Sequence, residues 1–114
     1  MSQLTHLNAE GEAHMVDISE KDVTNRIAIA QSVVQLTPKI VAAIASKEIA
    51  KGDLFGAARI AGIQAAKKCS DLIPLCHALP LTKISVEMEL IDDALVIKSL
   101  CKTNARTGVE MEAL

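Results

Sequence analysis

Cys76 and His77 stand side by side in the stretch DLIPLCHALP, residues 71–80, between two prolines and among residues that favour burial. A thiol beside an imidazole suggests a nucleophile and its base, the pairing that thiol catalysis requires. On an extended segment, however, neighbouring side chains point to opposite faces, so the two do not meet. Cys76 then reads as a small buried apolar residue. His77 leaves two readings open: a buried, hydrogen-bonded ring, or a general acid/base working near neutral pH. No second pair of Cys or His residues lies at ligand spacing, and His6 and His14 fall near the N-terminus, so spacing alone gives no metal site.

Charged candidates flank two helix starts. Lys51-Gly52-Asp53 precedes a helical run, where free backbone N–H groups and the helix dipole favour an anion and a lysine can neutralise phosphate. The plain alternative is a solvated loop lysine. Thr107-Gly108 marks a second start, with Lys102 and Arg106 nearby. Thr107 and Glu110 have the capping-box spacing, which gives Glu110 a structural task. Glu112 lies roughly 200° further round such a helix and is free for another role. Arg26, Arg59, Lys67 and Lys68 read most simply as surface charges.

These residues need elements to hold them. Arg26–Leu36, RIAIAQSVVQL, carries β-branched residues in partial alternation and reads as a strand. Thr37-Pro38 then caps and opens a helix through KIVAAIASKEI. A further helix follows Gly52-Asp53 through KGDLFGAARIAGIQAAKKCSD, with a stripe of Ala57, Ala58, Ala61, Gly62, Ala65 and Ala66 suited to close packing. Thr82, Ile84, Val86, Met88 and Leu90 share one face of a strand whose other face is Lys83, Ser85, Glu87 and Glu89. Asp92-Asp93 turns into its hairpin partner, ALVIKSLCKT, which NARTG ends before the last helix begins. The order is most of the split pattern β-α-β-β-α-β, an α+β ferredoxin-like sandwich whose last helix and last strand are missing from the 114 residues. Residues 1–14 read as a flexible arm and 15–114 as a single domain cut short at its C-terminus.

Composition narrows the function. A chain of 114 residues holds one domain, and with Phe55 its only aromatic the core must be Ile, Leu, Val, Ala and Met. A formal charge of −2 and the lack of Trp and Tyr argue against a nucleic-acid surface. Three cysteines without a CxxC pair suit a reducing compartment, which points to the cytoplasm. The polar, acidic start MSQLTHLNAEGEAH reads as no signal peptide, and no apolar run nears the ~18 residues of a membrane span.

Four motifs taken together, MVDIS (Met15 to Ser19), KGDLFGAARIAGIQAAKK (Lys51 to Lys68), DLIPLCHAL (Asp71 to Leu79) and TGVEMEAL (Thr107 to Leu114), resemble the cyclic pyranopterin monophosphate synthase family. These are the MoaC proteins of molybdenum cofactor biosynthesis. The resemblance implies a ferredoxin-like lyase that converts 3′,8-cyclo-7,8-dihydro-GTP to cyclic pyranopterin monophosphate with release of pyrophosphate. It implies a homo-oligomer, a hexamer of three dimers with sites between subunits. Carried over by motif, Lys51 and His77 would be catalytic. Leu75, Cys76, His77, Met111 and Glu112 would contact substrate, as would Arg26 and Glu110. No cofactor or metal is implied beyond magnesium that can accompany the triphosphate. Fixed positive charge for a departing pyrophosphate and proton donors for ring opening suit such residues. Ala78 stands where the family has proline, and family members continue past VEMEAL through a helix carrying an Asp and a Lys. Two expectations follow: a synthase whose full product is longer, or a truncated, non-catalytic remnant that keeps the oligomer scaffold or nucleotide binding.

Overall fold

A computed structural model describes residues 5–46 and 53–114. The strongest element is the hairpin of β2, Leu81–Ile91, and β3, Ala94–Ala105, closed by the two-residue turn Asp92-Asp93. Asp92 has a φ of 53°, a left-handed conformation that aspartate tolerates better than most residues. Along β2 the alternation of the sequence becomes alternation of burial, with Val86 inside and Glu87 and Glu89 exposed. β1, Thr24–Gln35, pairs antiparallel with β3 over its whole length, from Thr24 opposite Ala105 to Gln35 opposite Ala94. The sheet order is β1-β3-β2. β3 is central, and this explains why it runs on through Asn104 and Ala105, where the sequence predicts a break. Pairing with Asn25 and Thr24 outweighs the local turn preference of Asn104.

Two of the helices, those at Leu54–Lys67 and Glu110–Ala113, pack on one face of the sheet. α1, Pro38–Ala45, starts as its sequence predicts: Pro38 takes the first position and the Ile40 N–H donates to the Thr37 hydroxyl at 3.3 Å. α2, Leu54–Lys67, is capped by Asp53, whose Oδ1 accepts from the Gly56 N–H at 3.0 Å. Its small residues bring it against β2, because a Cβ at Gly62 would lie 3.1 Å from a Val86 methyl. The helical run that the sequence predicts through Asp71 is broken at Lys68, where φ −102° and ψ 10° bend the chain before α3, Cys69–Leu72. The bend turns Cys69 inward, to 6% exposure. α4, Glu110–Ala113, begins two residues later than a cap at Thr107 implies, with Val109 at the cap position and no side-chain capping bond. Burial sets its start: Val109 and Ala113 join Ala66 and Cys101 in the core, so packing fixes α4 without the capping box.

The result is an α+β ferredoxin-like arrangement that holds three strands and the opening turn of the last helix of the split pattern. One sheet face is covered by α2 and α4. The other keeps Ile27, Ile29 and Val33 more than half exposed on β1. Residues 5–14 form a turn of their own, in which Leu7 and Ala13 bridge and the Asn8 side-chain Oδ1 accepts from the backbone N–H groups of Glu10 and Glu12.

Candidate functional site

Residues 76–80 carry His77 without regular structure, between α3 and β2. The path is set at both ends. Leu75 adopts a φ of 65°, a strained value for a branched side chain, and turns the chain out of α3. Beyond His77, the buried Thr103 hydroxyl of the central strand donates to the Pro80 carbonyl at 2.7 Å. The His77 Nε2 then lies 2.6 Å from the Val16 carbonyl. A carbonyl only accepts, so Nε2 carries the hydrogen of this bond, and in the neutral ring Nδ1 is the acceptor.

Val16 belongs to the MVDIS motif, so this bond joins two of the four sequence motifs directly. Its neighbour Asp17 is held below the usual carboxylate range, first by the backbone N–H of Ser19, then by the Ser19 side chain; His77 adds a smaller attraction, against a slight opposing effect of burial. Asp17, His77, Pro80, Ala105 and Arg106 all line one cavity of about 630 Å³. This cavity gathers an acceptor nitrogen, a carboxylate and a guanidinium, the groups a phosphorylated substrate with exchangeable protons needs. Asp17 and Arg106 are its contributors that side-chain spacing did not single out as site residues. Their signal was the MVDIS motif and the charge beside Thr107.

Cys76 faces away from His77, as neighbours on an extended segment do. Its Sγ lies 3.8 Å from Cys69 Sγ and 3.9 Å from Glu112 Oε2. Burial first, then the thiol of Cys69 and the charge of Glu112, push the Cys76 thiol up to about 12. It is neutral at physiological pH and no ready nucleophile. Glu112 is itself raised by burial, and by the charge of Glu110 to a lesser extent, although its own backbone and Cys76 hydrogen bonds work the other way. Cys69 and Cys101 are raised mainly by burial too. Glu112, Met111, Cys69, Cys101 and Ile73 share a second cavity of about 360 Å³ beneath the sheet.

The structure therefore places Cys76 with Glu112, while His77 and Met111 line different cavities. Leu75 is half-buried and lines neither of them. Arg26 is half-buried at the start of β1, and its Nε donates to the Ala105 carbonyl at 3.3 Å, beside the His77 cavity. Glu110 is exposed and folds its carboxylate back over Gly108. Lys51 lies outside the described residues. Among the described residues, Cys69, Cys76 and Glu112 are the group whose ligand atoms could hold a metal ion.

A helix-covered antiparallel sheet with a hydrogen-bonded histidine on one loop and a buried carboxylate on the last helix defines a ferredoxin-like α+β domain. The MoaC family model matches residues 15–114, and the chain belongs to the MoaC family. It is 52% identical over 118 aligned positions to a protein of Dinoroseobacter shibae named cyclic pyranopterin monophosphate synthase, in a match that spans 100% of this chain and 73% of that relative.

Proposed function

We propose that this chain is a cyclic pyranopterin monophosphate synthase, a lyase of molybdenum cofactor biosynthesis acting on 3′,8-cyclo-7,8-dihydro-GTP. The observation that carries the reading is the His77 ring, fixed through Nε2 on the Val16 carbonyl and lining a cavity that Asp17 and Arg106 also line. Ending as a cyclic monophosphate requires a hydroxyl oxygen of the substrate to attack the α-phosphorus. The bond to pyrophosphate breaks, and the hydroxyl proton passes to a base. His77 Nδ1 is that base, and Arg106 offsets the charge that builds on the departing pyrophosphate. Lys51 adds positive charge at the phosphates. Arg26 and Glu110 contact substrate from the borders of the site. Leu75 shapes the loop, and Cys76, Met111 and Glu112 form a second wall, with Glu112 able to carry a proton. Any magnesium is the counter-ion of the triphosphate and takes no protein ligand set in this reading.

The uncovered face with Ile27, Ile29 and Val33 supports a homo-oligomer, assembled as a hexamer of three dimers. Three free cysteines suit a reducing cytoplasm. Among the described residues no helix is long and apolar enough to cross a membrane. The test is incubation with the cyclised substrate, following pyrophosphate release in the wild type and in His77→Ala and Lys51→Ala. The reading expects release from the wild type and its loss, by roughly 100-fold or more, in both variants with assembly intact. Nucleotide binding with no release from the wild type would leave only a binding role.

A further inference from the structure

We propose that Cys69, Cys76 and Glu112 form a binding site for a thiophilic divalent cation of the zinc class, with an open fourth position toward the cavity beneath the sheet. The three ligand atoms lie within 4.8 Å of one another, although they come from α3, the following loop and α4. The sulfur–sulfur spacing matches a tetrahedral ion, and the carboxylate stands a few tenths of an ångström further out, a gap that ligation would close. With metal–sulfur bonds of about 2.3 Å and a metal–oxygen bond of about 2.0 Å, tetrahedral angles place two sulfurs about 3.8 Å apart and a sulfur and an oxygen about 3.5 Å apart. The observed distances are 3.8 Å between the sulfurs and 3.9 Å from Cys76 Sγ to Glu112 Oε2.

Burial favours the same conclusion. Cys69 and Glu112 are 6% and 8% exposed, so the carboxylate stands where an unpaired charge is costly and a cation would offset it. Two sulfurs select zinc-like ions over magnesium or calcium. Cys69 and Glu112 also line the cavity of about 360 Å³, which leaves room for water or an anion as the fourth ligand. On coordination both thiols release their protons to solvent. The ion would tie α3 and α4 to the loop that carries His77. Sequence spacing hides this set, because positions 69, 76 and 112 meet only once Lys68 bends the chain and α4 docks on the sheet.

The site does not rest on the lyase reading, and its test contains no substrate. Reduced, chelator-treated protein is titrated with Co²⁺, followed by Zn²⁺. The expected result is a thiolate-to-cobalt charge-transfer band that saturates at one ion per chain, is displaced by zinc, and is lost in Cys69→Ser. In the wild type, Zn²⁺ should also slow alkylation of Cys69 and Cys76, read by mass spectrometry, by roughly tenfold or more while Cys101 is unchanged. That second measurement decides the matter if Cys69→Ser does not fold. A folded, reduced wild type without the band would overturn the site, as would a band that survives in Cys69→Ser or alkylation indifferent to zinc. Such results would mark the sulfur contact as ordinary thiol packing.

Discussion

Glu112 brings a carboxylate to a place with 8% of its surface exposed, and the fold raises its affinity for a proton in consequence. The sign of the effect on stability follows from linkage. A group whose folded value lies above the ordinary 4.5 contributes stability that is complete below 4.5 and is lost as pH rises through the raised value. Glu112→Gln, kept free of metal by chelator, is therefore expected to be more stable than wild type at about pH 7 and to lose that advantage near about pH 4. Urea denaturation at the two pH values checks this, and an equal difference at both would contradict it. Cys76 adds a second window. Its thiol is shifted from 9.0 to about 12, so its neutral form supports the fold up to pH 9.0 and that support fades toward 12. The separation of Cys76 from His77 was legible in the sequence, because it follows from strand geometry. The meeting of Cys76 with Cys69 and Glu112 was not, since it depends on packing between elements far apart in the chain.

The elements divide in the same way. Local signals located α1, the start of α2 and the β2–β3 hairpin, because Thr37, Asp53 and the alternation from Thr82 to Leu90 act through neighbours in sequence. Where tertiary contacts compete, local signals lose: β3 outruns NARTG, and α4 starts on buried Val109 instead of the Thr107 capping box. The Asp53 cap is expected to matter, and Asp53→Ala should cost about 1 kcal/mol in thermal or urea denaturation. The approach of α2 to β2 is a sharper test. Since even a Cβ at Gly62 would sit 3.1 Å from Val86, Gly62→Leu overpacks the contact and should destabilise by about 2 kcal/mol. Wild-type stability in Gly62→Leu would mean that α2 stands further from the sheet than described.

Across the whole molecule, small side chains make a thin core, and the sheet face opposite the helices stays open, apolar along β1 and charged along β2. Ile29, at 64% exposure, lies midway along the edge strand β1 on that face. If the face is an interface between copies, Ile29→Lys should shift sedimentation from oligomer toward monomer while leaving circular dichroism unchanged. The succession of strands and helices could be read from the sequence, and His77 and the MVDIS motif could be named there separately; the sheet order β1-β3-β2 came with the fold. Their union through the Val16 carbonyl, and the arrival of Arg106 at the same cavity, required the fold, because β3 must first carry Arg106 to the end of the sheet that the loop covers. The most direct test of the functional account is the release of pyrophosphate from 3′,8-cyclo-7,8-dihydro-GTP by the purified, assembled protein. The account predicts release that His77→Ala abolishes; an assembled wild type that releases none, or a His77→Ala variant as active as wild type, would contradict it.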